Sequence, residues 1–136
     1  MFTSHTKVGV ISYFCREDIK KIYKIEEVLG SGTYGKVRSA RLIRDPTQKY
    51  AIKSLSRQGC KLDVLEIEFL ILKKLDHPNL VRLHELYRDD RYFYFVTEFL
   101  SGGELFNHVL DRGAISEKES CQITSKLVQG IQYLHE

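Results

Sequence analysis

Cysteine is sparse in this chain of 136 residues, and Cys15, Cys60 and Cys121 lie far apart. None forms a C-x-x-C pair and the count is odd, which argues against a disulfide framework. Free thiols in a reducing compartment, the cytoplasm, are expected, and no metal site is expected from the chain's own side chains. Long apolar runs are also lacking. No stretch approaches the ~20 residues that a membrane-spanning helix needs, so no span is expected. Val8 to Phe14 is apolar but short, with no small-residue cleavage site after it, which argues against a signal peptide. Residue 2 is Phe rather than Gly, so N-myristoylation is not expected at this start. Charge of one sign is missing as well: 21 basic against 18 acidic residues leave only +3, scattered without a basic block. A nucleic-acid partner is therefore not expected. Neither an internal repeat nor a low-complexity tract is present.

What remains is ordinary globular material, 43% hydrophobic and 29% charged, enough for one domain with a sizeable core. Residues 1–22 have weak patterning and read as an N-terminal extension with one short element. From Tyr23 the texture changes. Tyr23 to Leu29 alternates as a strand does, Gly30 to Gly35 is a glycine-rich turn, and Lys36 to Ile43 resumes strand character. Arg44-Asp45-Pro46-Thr47 signals a turn before a third strand, Lys49 to Leu55. Three strands with short links imply an antiparallel meander.

Leu62 to Leu75 changes period. Val64, Leu65, Ile71, Leu72 and Leu75 fall on one helical face, and the helix should end near Asp76-His77-Pro78. Leu80 to Tyr87 and Arg91 to Phe99 are strand-like, joined by the hairpin turn Arg88-Asp89-Asp90. After Ser101-Gly102-Gly103, a short helix is expected over Glu104 to Asp111 and a longer one over Ser116 to His135. Ser116 and Glu119 fit a capping box, and Cys121, Thr124, Leu127, Val128, Ile131 and Leu134 supply the expected buried face.

Four motifs carry chemistry. In Gly30-Ser31-Gly32-Thr33-Tyr34-Gly35, followed by Val37, glycines let backbone N–H groups approach phosphate oxygens. A dinucleotide fingerprint would need a helix straight after the glycines, and a strand follows. A Walker A loop would need a hydroxyl where Val37 stands. G-x-G-x-x-G-x-V between two strands matches fully, although a tight ligand-free hairpin stays open for the motif alone. In Ala51-Ile52-Lys53, Ala51 and Lys53 share a strand face, so a small flat residue lies beside an ammonium. Taken alone, Lys53 also reads as an ordinary exposed lysine. Glu68 stands among Val64, Leu65, Ile71 and Leu72, near the middle of the expected apolar face, where a carboxylate is costly unless paired. Lys53 is its natural partner; the plainer reading is a helix edge from which the carboxylate reaches water. Finally, Phe95 to Glu104 runs an apolar strand into a linker and a glycine pair. Linker backbone groups could bond a base edge, and Glu104 could equally be a helix N-terminal carboxylate.

In this order and spacing the set resembles the N-terminal lobe of protein serine/threonine kinases, over about Tyr23 to Glu136. The texture is similar to calcium-dependent and calmodulin-dependent kinases, in Leu29-Gly-Ser-Gly-Thr-Tyr-Gly35, Leu72-Lys-Lys-Leu-Asp-His-Pro-Asn-Leu80 and Thr97-Glu-Phe-Leu-Ser-Gly-Gly-Glu-Leu-Phe106. The resemblance implies an α+β fold: a five-stranded antiparallel sheet with one packed helix over residues 23–100, then the first helices of an incomplete helical large lobe over 101–136. It implies ATP and Mg²⁺ as cofactors and a protein substrate as partner for a full-length enzyme. By position, Gly30, Ser31, Gly32, Thr33, Tyr34 and Gly35 would fold over the phosphates. Leu29, Val37 and Ala51 would sandwich the adenine, and Lys53 would contact phosphates and pair with Glu68. Thr97 would stand at the back of the pocket, the Glu98 and Leu100 backbones would bond adenine, and Glu104 would reach the ribose. Leu72 and Leu83 would link helix and sheet.

Departures accompany the match. Lys53 and Glu68 stand only 15 apart, a shorter link than in many family members. The 136 residues contain no H-R-D, no D-F-G and no EF-hand loop. The catalytic Asp and the Mg²⁺ ligands are thus missing, and the chain alone is expected to be inactive. The alternative is a kinase-like, non-catalytic binding module, associating through the apolar face of its last helix.

Overall fold

A computed structural model describes residues 13–32 and 35–135. Five strands form one antiparallel sheet: β1 (Tyr23–Gly32), β2 (Gly35–Leu42), β3 (Asp45–Ser56), β4 (Leu83–Arg88) and β5 (Tyr92–Glu98), in the order β1-β2-β3-β5-β4. Helix α1 (Leu62–Lys74) joins β3 to β4, and α2 (Leu105–Arg112) and α3 (Glu117–His135) follow the sheet. The α+β class, the meander and the element order are those expected from the sequence. Two turns are tighter than expected. The β1–β2 ladder continues through Ser31 opposite Lys36 to Gly32 opposite Gly35, inside the stretch expected as a turn. At the next corner Leu42 already pairs with Asp45, whose carboxylate accepts from the Thr47 N–H and hydroxyl and from Gln48.

Period-2 alternation divides the sheet into two faces. On one, Tyr23, Ala40, Leu42, Ile52, Tyr87, Tyr94 and Val96 form a core closed by Ile19. On the other, Leu55, Leu86, Phe93 and Phe95 pack with Leu65 and Phe69 of α1 and with Phe14. Residues 13–22 therefore contribute to both cores. Cys15 bridges β4 in parallel, through Cys15 N–H to Leu86 O and Arg88 N–H to Cys15 O, each 2.9 Å. A short 3₁₀ turn, Ile19–Lys21, is capped by Asp18.

The buried side of α1 differs from the expected one. Leu65 and Phe69 are both 2% exposed, while Val64 and Ile71 are 53% and 50% exposed. The cause lies in the composition of α1: Leu62, Val64, Leu65, Ile67, Phe69, Leu70, Ile71 and Leu72 make it apolar nearly all round. Periodicity then offers overlapping faces, and the aromatic surface of Phe14, Phe93 and Phe95 selects the one carrying Phe69.

The face of α3 is corrected too. Cys121, Thr124, Leu127, Val128, Ile131 and Leu134 are exposed, and Gly130 is the buried position. A side chain at Gly130 would meet Leu80 Cδ2 at 3.5 Å, so the helix lies close against the segment after α1. Polar bonds hold it there. Asn79 donates to Lys126 O (3.1 Å) and Gln129 Oε1 (3.2 Å), while the Tyr133 hydroxyl donates to Lys74 O and accepts from Asp76 N–H, both 3.1 Å. The capping box forms by half. Ser116 Oγ accepts from Glu119 N–H, but the Glu119 carboxylate turns to His108 and Arg112 of α2.

On the sheet face away from α1, Tyr23 and Tyr87 both donate to Glu85 Oε2, at 2.5 and 2.8 Å. Burial, followed by these bonds to Glu85, raises both phenols well above their ordinary value of 10.0. The folded state thus keeps protons that the unfolded chain releases above about pH 10, and stability falls as pH rises past that point. Tyr23→Phe should make the alkaline decline shallower, as read by urea midpoints between pH 8 and 11. Phe69→Ala should cost about 3–5 kcal/mol, whereas exposed Ile67→Ala should stay within about 0.5 kcal/mol.

Candidate functional site

The sheet face that receives α1 is only partly covered by it. Toward the β3 start, Val37, Ala51, Lys53 and Thr97 stand on the same face. The register sets Val37 opposite Lys53, and Ala51 opposite both Ser39 and Thr97. Ala51 is buried and Val37 is half-buried, so together they make a flat apolar shelf. Ser39, fully buried, stiffens the shelf by accepting from Glu27 N–H of β1 at 3.2 Å. Nothing in the spacing of the sequence singled it out.

Lys53 Nζ forms an ion pair and hydrogen bond with Glu68 Oε1, across β3 and α1. The two side chains are 31% and 32% exposed, so the pair sits at the border of the core, with one flank open. Glu68 lies between the buried Leu65–Phe69 stripe and the exposed Val64 and Ile71, not at the middle of the buried face. Such a pair gains little as a stabiliser in its exposed half; its value is positional. Cys60, which the sequence did not point to, is half-buried near the same carboxylate. Burial, and then the Glu68 charge, pushes its thiol above the ordinary range, so it stays protonated.

A groove of about 920 Å³ runs from Ser31, Gly32 and Gly35 past Ser54 to Cys60, Val64 and Glu68, and wraps around the sheet end to Tyr92 and Tyr94. Its walls do not include Val37, Ala51 or Leu100. The shelf is thus an open ledge beside the groove, with Leu29 and Leu100 48% and 61% exposed at its rim. Gly30 and Gly32 have free space where a Cβ would project. Gly35 does not: its φ is +132°, and a Cβ would lie 2.0 Å from Ser54 O. Thr33 and Tyr34, expected at the tip of this hairpin, lie outside the described residues.

The end of β5 is fastened to the residue before β4. Glu98 N–H donates to Arg82 O (3.1 Å), and Glu98 Oε1 accepts from Arg82 N–H (2.8 Å). Thr97 Oγ1 reaches back to Ala51 O at 3.4 Å, so its hydroxyl is turned to the sheet backbone. Glu104 is the N-cap residue of α2 and is exposed; its side chain makes no cap bond and has no partner among the described residues. Leu72 and Leu83 both pack against the core between α1 and the sheet, which ties Glu68 mechanically to β4. The structure therefore brings together Lys53, Glu68, Val37, Ala51 and Thr97, puts Gly30 opposite Val37, and lines the adjoining groove with Ser31, Gly32 and Gly35.

Comparison with known proteins finds that the family described as "Protein kinase domain" matches residues 23–136. Calcium/calmodulin-dependent protein kinase type 1 of Macrobrachium nipponense is 34% identical over 116 residues, covering 84% of this chain and 34% of the relative. Calcium-dependent protein kinase 5 of Plasmodium berghei is 35% identical over 121 residues, 88% of this chain and 21% of the relative. Among solved structures, Rad53 residues 1–466 in complex with AMP-PNP aligns with a TM-score of 0.75 at 34% identity, covering 86% of this chain and 31% of that one. The chain thus spans about a third or less of the length of these relatives.

The glycines give a direct test of the hairpin geometry. Gly35→Ala should destabilise the fold by more than about 2 kcal/mol, from backbone strain and overlap with Ser54. Gly30→Ala and Gly32→Ala should leave the thermal midpoint nearly unchanged. Equal midpoints for all three variants would contradict the left-handed backbone at Gly35.

Proposed function

The chain belongs to the protein kinase family, and from that premise we propose that it forms the ATP clamp of a serine/threonine kinase, which transfers the γ-phosphoryl group to protein hydroxyls when whole. The observation that carries this reading is the Lys53–Glu68 pair, on one sheet face with Val37, Ala51 and Thr97 and next to the glycine hairpin. The roles follow from charge and shape. The Glu68 carboxylate holds the Lys53 ammonium extended along the face, where it offers its remaining protons to phosphate oxygens. Gly30 and Gly32 let backbone N–H groups approach the same oxygens. The Val37–Ala51 shelf takes one side of a planar base, with Leu29 and Leu100 at the edge. The Leu100 backbone then offers bonds to the base, and Glu104 offers its carboxylate to a ribose hydroxyl. Glu98 already spends its N–H on Arg82, so its carbonyl is the group left for the base.

Among the described residues no group of three or more His, Cys, Asp or Glu side chains is placed to hold a metal ion. These residues do not fit the Mg²⁺ that accompanies ATP, and the proposal gives it no ligand here. With no H-R-D or D-F-G in the 136 residues, the clamp alone should bind without transferring. No helix of the described residues is long and apolar enough to cross a membrane.

Calorimetric titration with ATP tests the clamp. Removing a charge-assisted bond of about 1.5–3 kcal/mol should weaken binding by roughly 10–100-fold in Lys53→Met. Glu68→Gln should lose less, since the ammonium stays but wanders. Equal affinity of wild type and Lys53→Met would overturn the phosphate role. Radiolabel transfer to a protein by the 136-residue chain would overturn its inactivity.

A further inference from the structure

At the far end of the same sheet face, beyond Phe93, three arginines from three segments converge, with no ion-pair partner among the described residues. Arg88 ends β4 directly opposite Phe93, and its Nε is buried with no hydrogen-bond partner among the described residues. Arg57, just past β3, lies over the Phe93 ring with its guanidinium 5.5 Å from the centroid, and it spends one N–H on Asp89 O at 2.7 Å. Arg16 is brought alongside by the Cys15 bridge, which pairs the residue before it with Tyr87, the residue before Arg88. Burial, and then the positive charges of Arg16 and Arg57, depress the Arg88 guanidinium from its ordinary value, as expected of like charges held close.

Among the described residues nothing pairs with them: no ion pair joins any of the three to a carboxylate. The hairpin carboxylate, Asp89, is already engaged by the Tyr94 hydroxyl and the Arg91 and Tyr92 N–H groups, each at 2.7 Å. A buried, unpaired N–H beside two further guanidinium groups is costly unless an oxyanion joins them. Guanidinium forks match the oxygens of phosphate, and three of them outweigh a single carboxylate but suit a dianion.

We propose that Arg16, Arg57 and Arg88 form a binding site for a phosphate monoester dianion, separate from the Lys53–Glu68 site. Arg88 supplies the desolvated donor, Arg57 a fork fixed by Phe93 and Asp89 O, and Arg16 an exposed arm that closes over the anion. The site joins residues before β1 to the ends of β3 and β4, so occupancy would fasten the Cys15 bridge to the sheet.

The test follows arginine Nε–H resonances of the ¹⁵N-labelled 136-residue chain during titration with inorganic phosphate, and separately with O-phosphoserine. A saturable shift of the Arg88 signal is expected in wild type and in Lys53→Met, weakened at least 5-fold by Arg16→Ala and by Arg57→Ala. Arg16 is exposed, so Arg16→Ala separates lost binding from lost folding; for Arg57→Ala, which uncovers Phe93, an unchanged urea midpoint makes the same separation. Tighter binding of O-phosphoserine than of inorganic phosphate would assign a phosphorylated side chain as the source; equal binding would assign free phosphate. A linear drift shared by all arginines, or a shift abolished by Lys53→Met but not by Arg16→Ala, would overturn the proposal. Failure of the ATP titration would leave this result untouched, because Lys53 takes no part in it.

Discussion

The packing of Leu65 and Phe69 against Phe14, Phe93 and Phe95 is the constraint on which the rest depends. A helix apolar on nearly every side has no preferred rotation of its own, and this aromatic surface gives it one. Full burial of each such side chain is worth about 1.5–3 kcal/mol, more than the half-exposed Lys53–Glu68 pair can contribute. The apolar contact therefore sets the rotation of α1, and the carboxylate follows. Once Phe69 is seated, Glu68 can point only toward the border where Lys53 waits. The polar site is a by-product of core packing, held in place by forces that do not depend on ionic strength.

Much of the fold was legible because alternation and helical spacing are local signals. β1 to β3, α1 and the β4–β5 hairpin could all be outlined from runs of a few residues. Glu68 was picked out as a carboxylate among Val64, Leu65, Ile71 and Leu72; its pairing with Lys53 is there, but Val64 and Ile71 are exposed, so the helix face behind that argument was not the buried one. What stayed hidden is what depends on distant segments. The true face of α1 is chosen by rings on β5 and at Phe14. The core roles of Phe14 and Ile19 could not be seen in a stretch without periodicity. Tyr23 and Tyr87 meet over Glu85 only because β1 and β4 flank one face. The Gly130 contact of α3 was missed because the hydrophobic stripe, the usual guide, faces away from the sheet lobe.

The same distinction separates the two polar sites. Lys53 and Glu68 come from consecutive elements, and family resemblance pointed to both. Arg16, Arg57 and Arg88 stand outside the four motifs, and Arg88 was read only as part of a hairpin turn. Their convergence is created by one isolated backbone bridge, at Cys15, and by the stacking of Arg57 on Phe93.

The two ends of α1 are held very differently. Its last turn is fastened to α3, where one tyrosine hydroxyl bridges Lys74 O and Asp76 N–H. Its first turn begins at Lys61 with no side-chain cap, just after Gly59 in a left-handed turn at φ 77°. Mechanically this is a door hung at its C-terminal edge. Glu68 stands about 9 Å from that hinge, at 1.5 Å of rise per residue, so a rotation of roughly 10° carries its carboxylate about 1.5 Å. That travel is comparable to the margin between a bonded ion pair and a broken one. With no cap on that first turn, the buried Leu65 is what seats it, so the reach of Glu68 to Lys53 depends on an apolar contact one turn away.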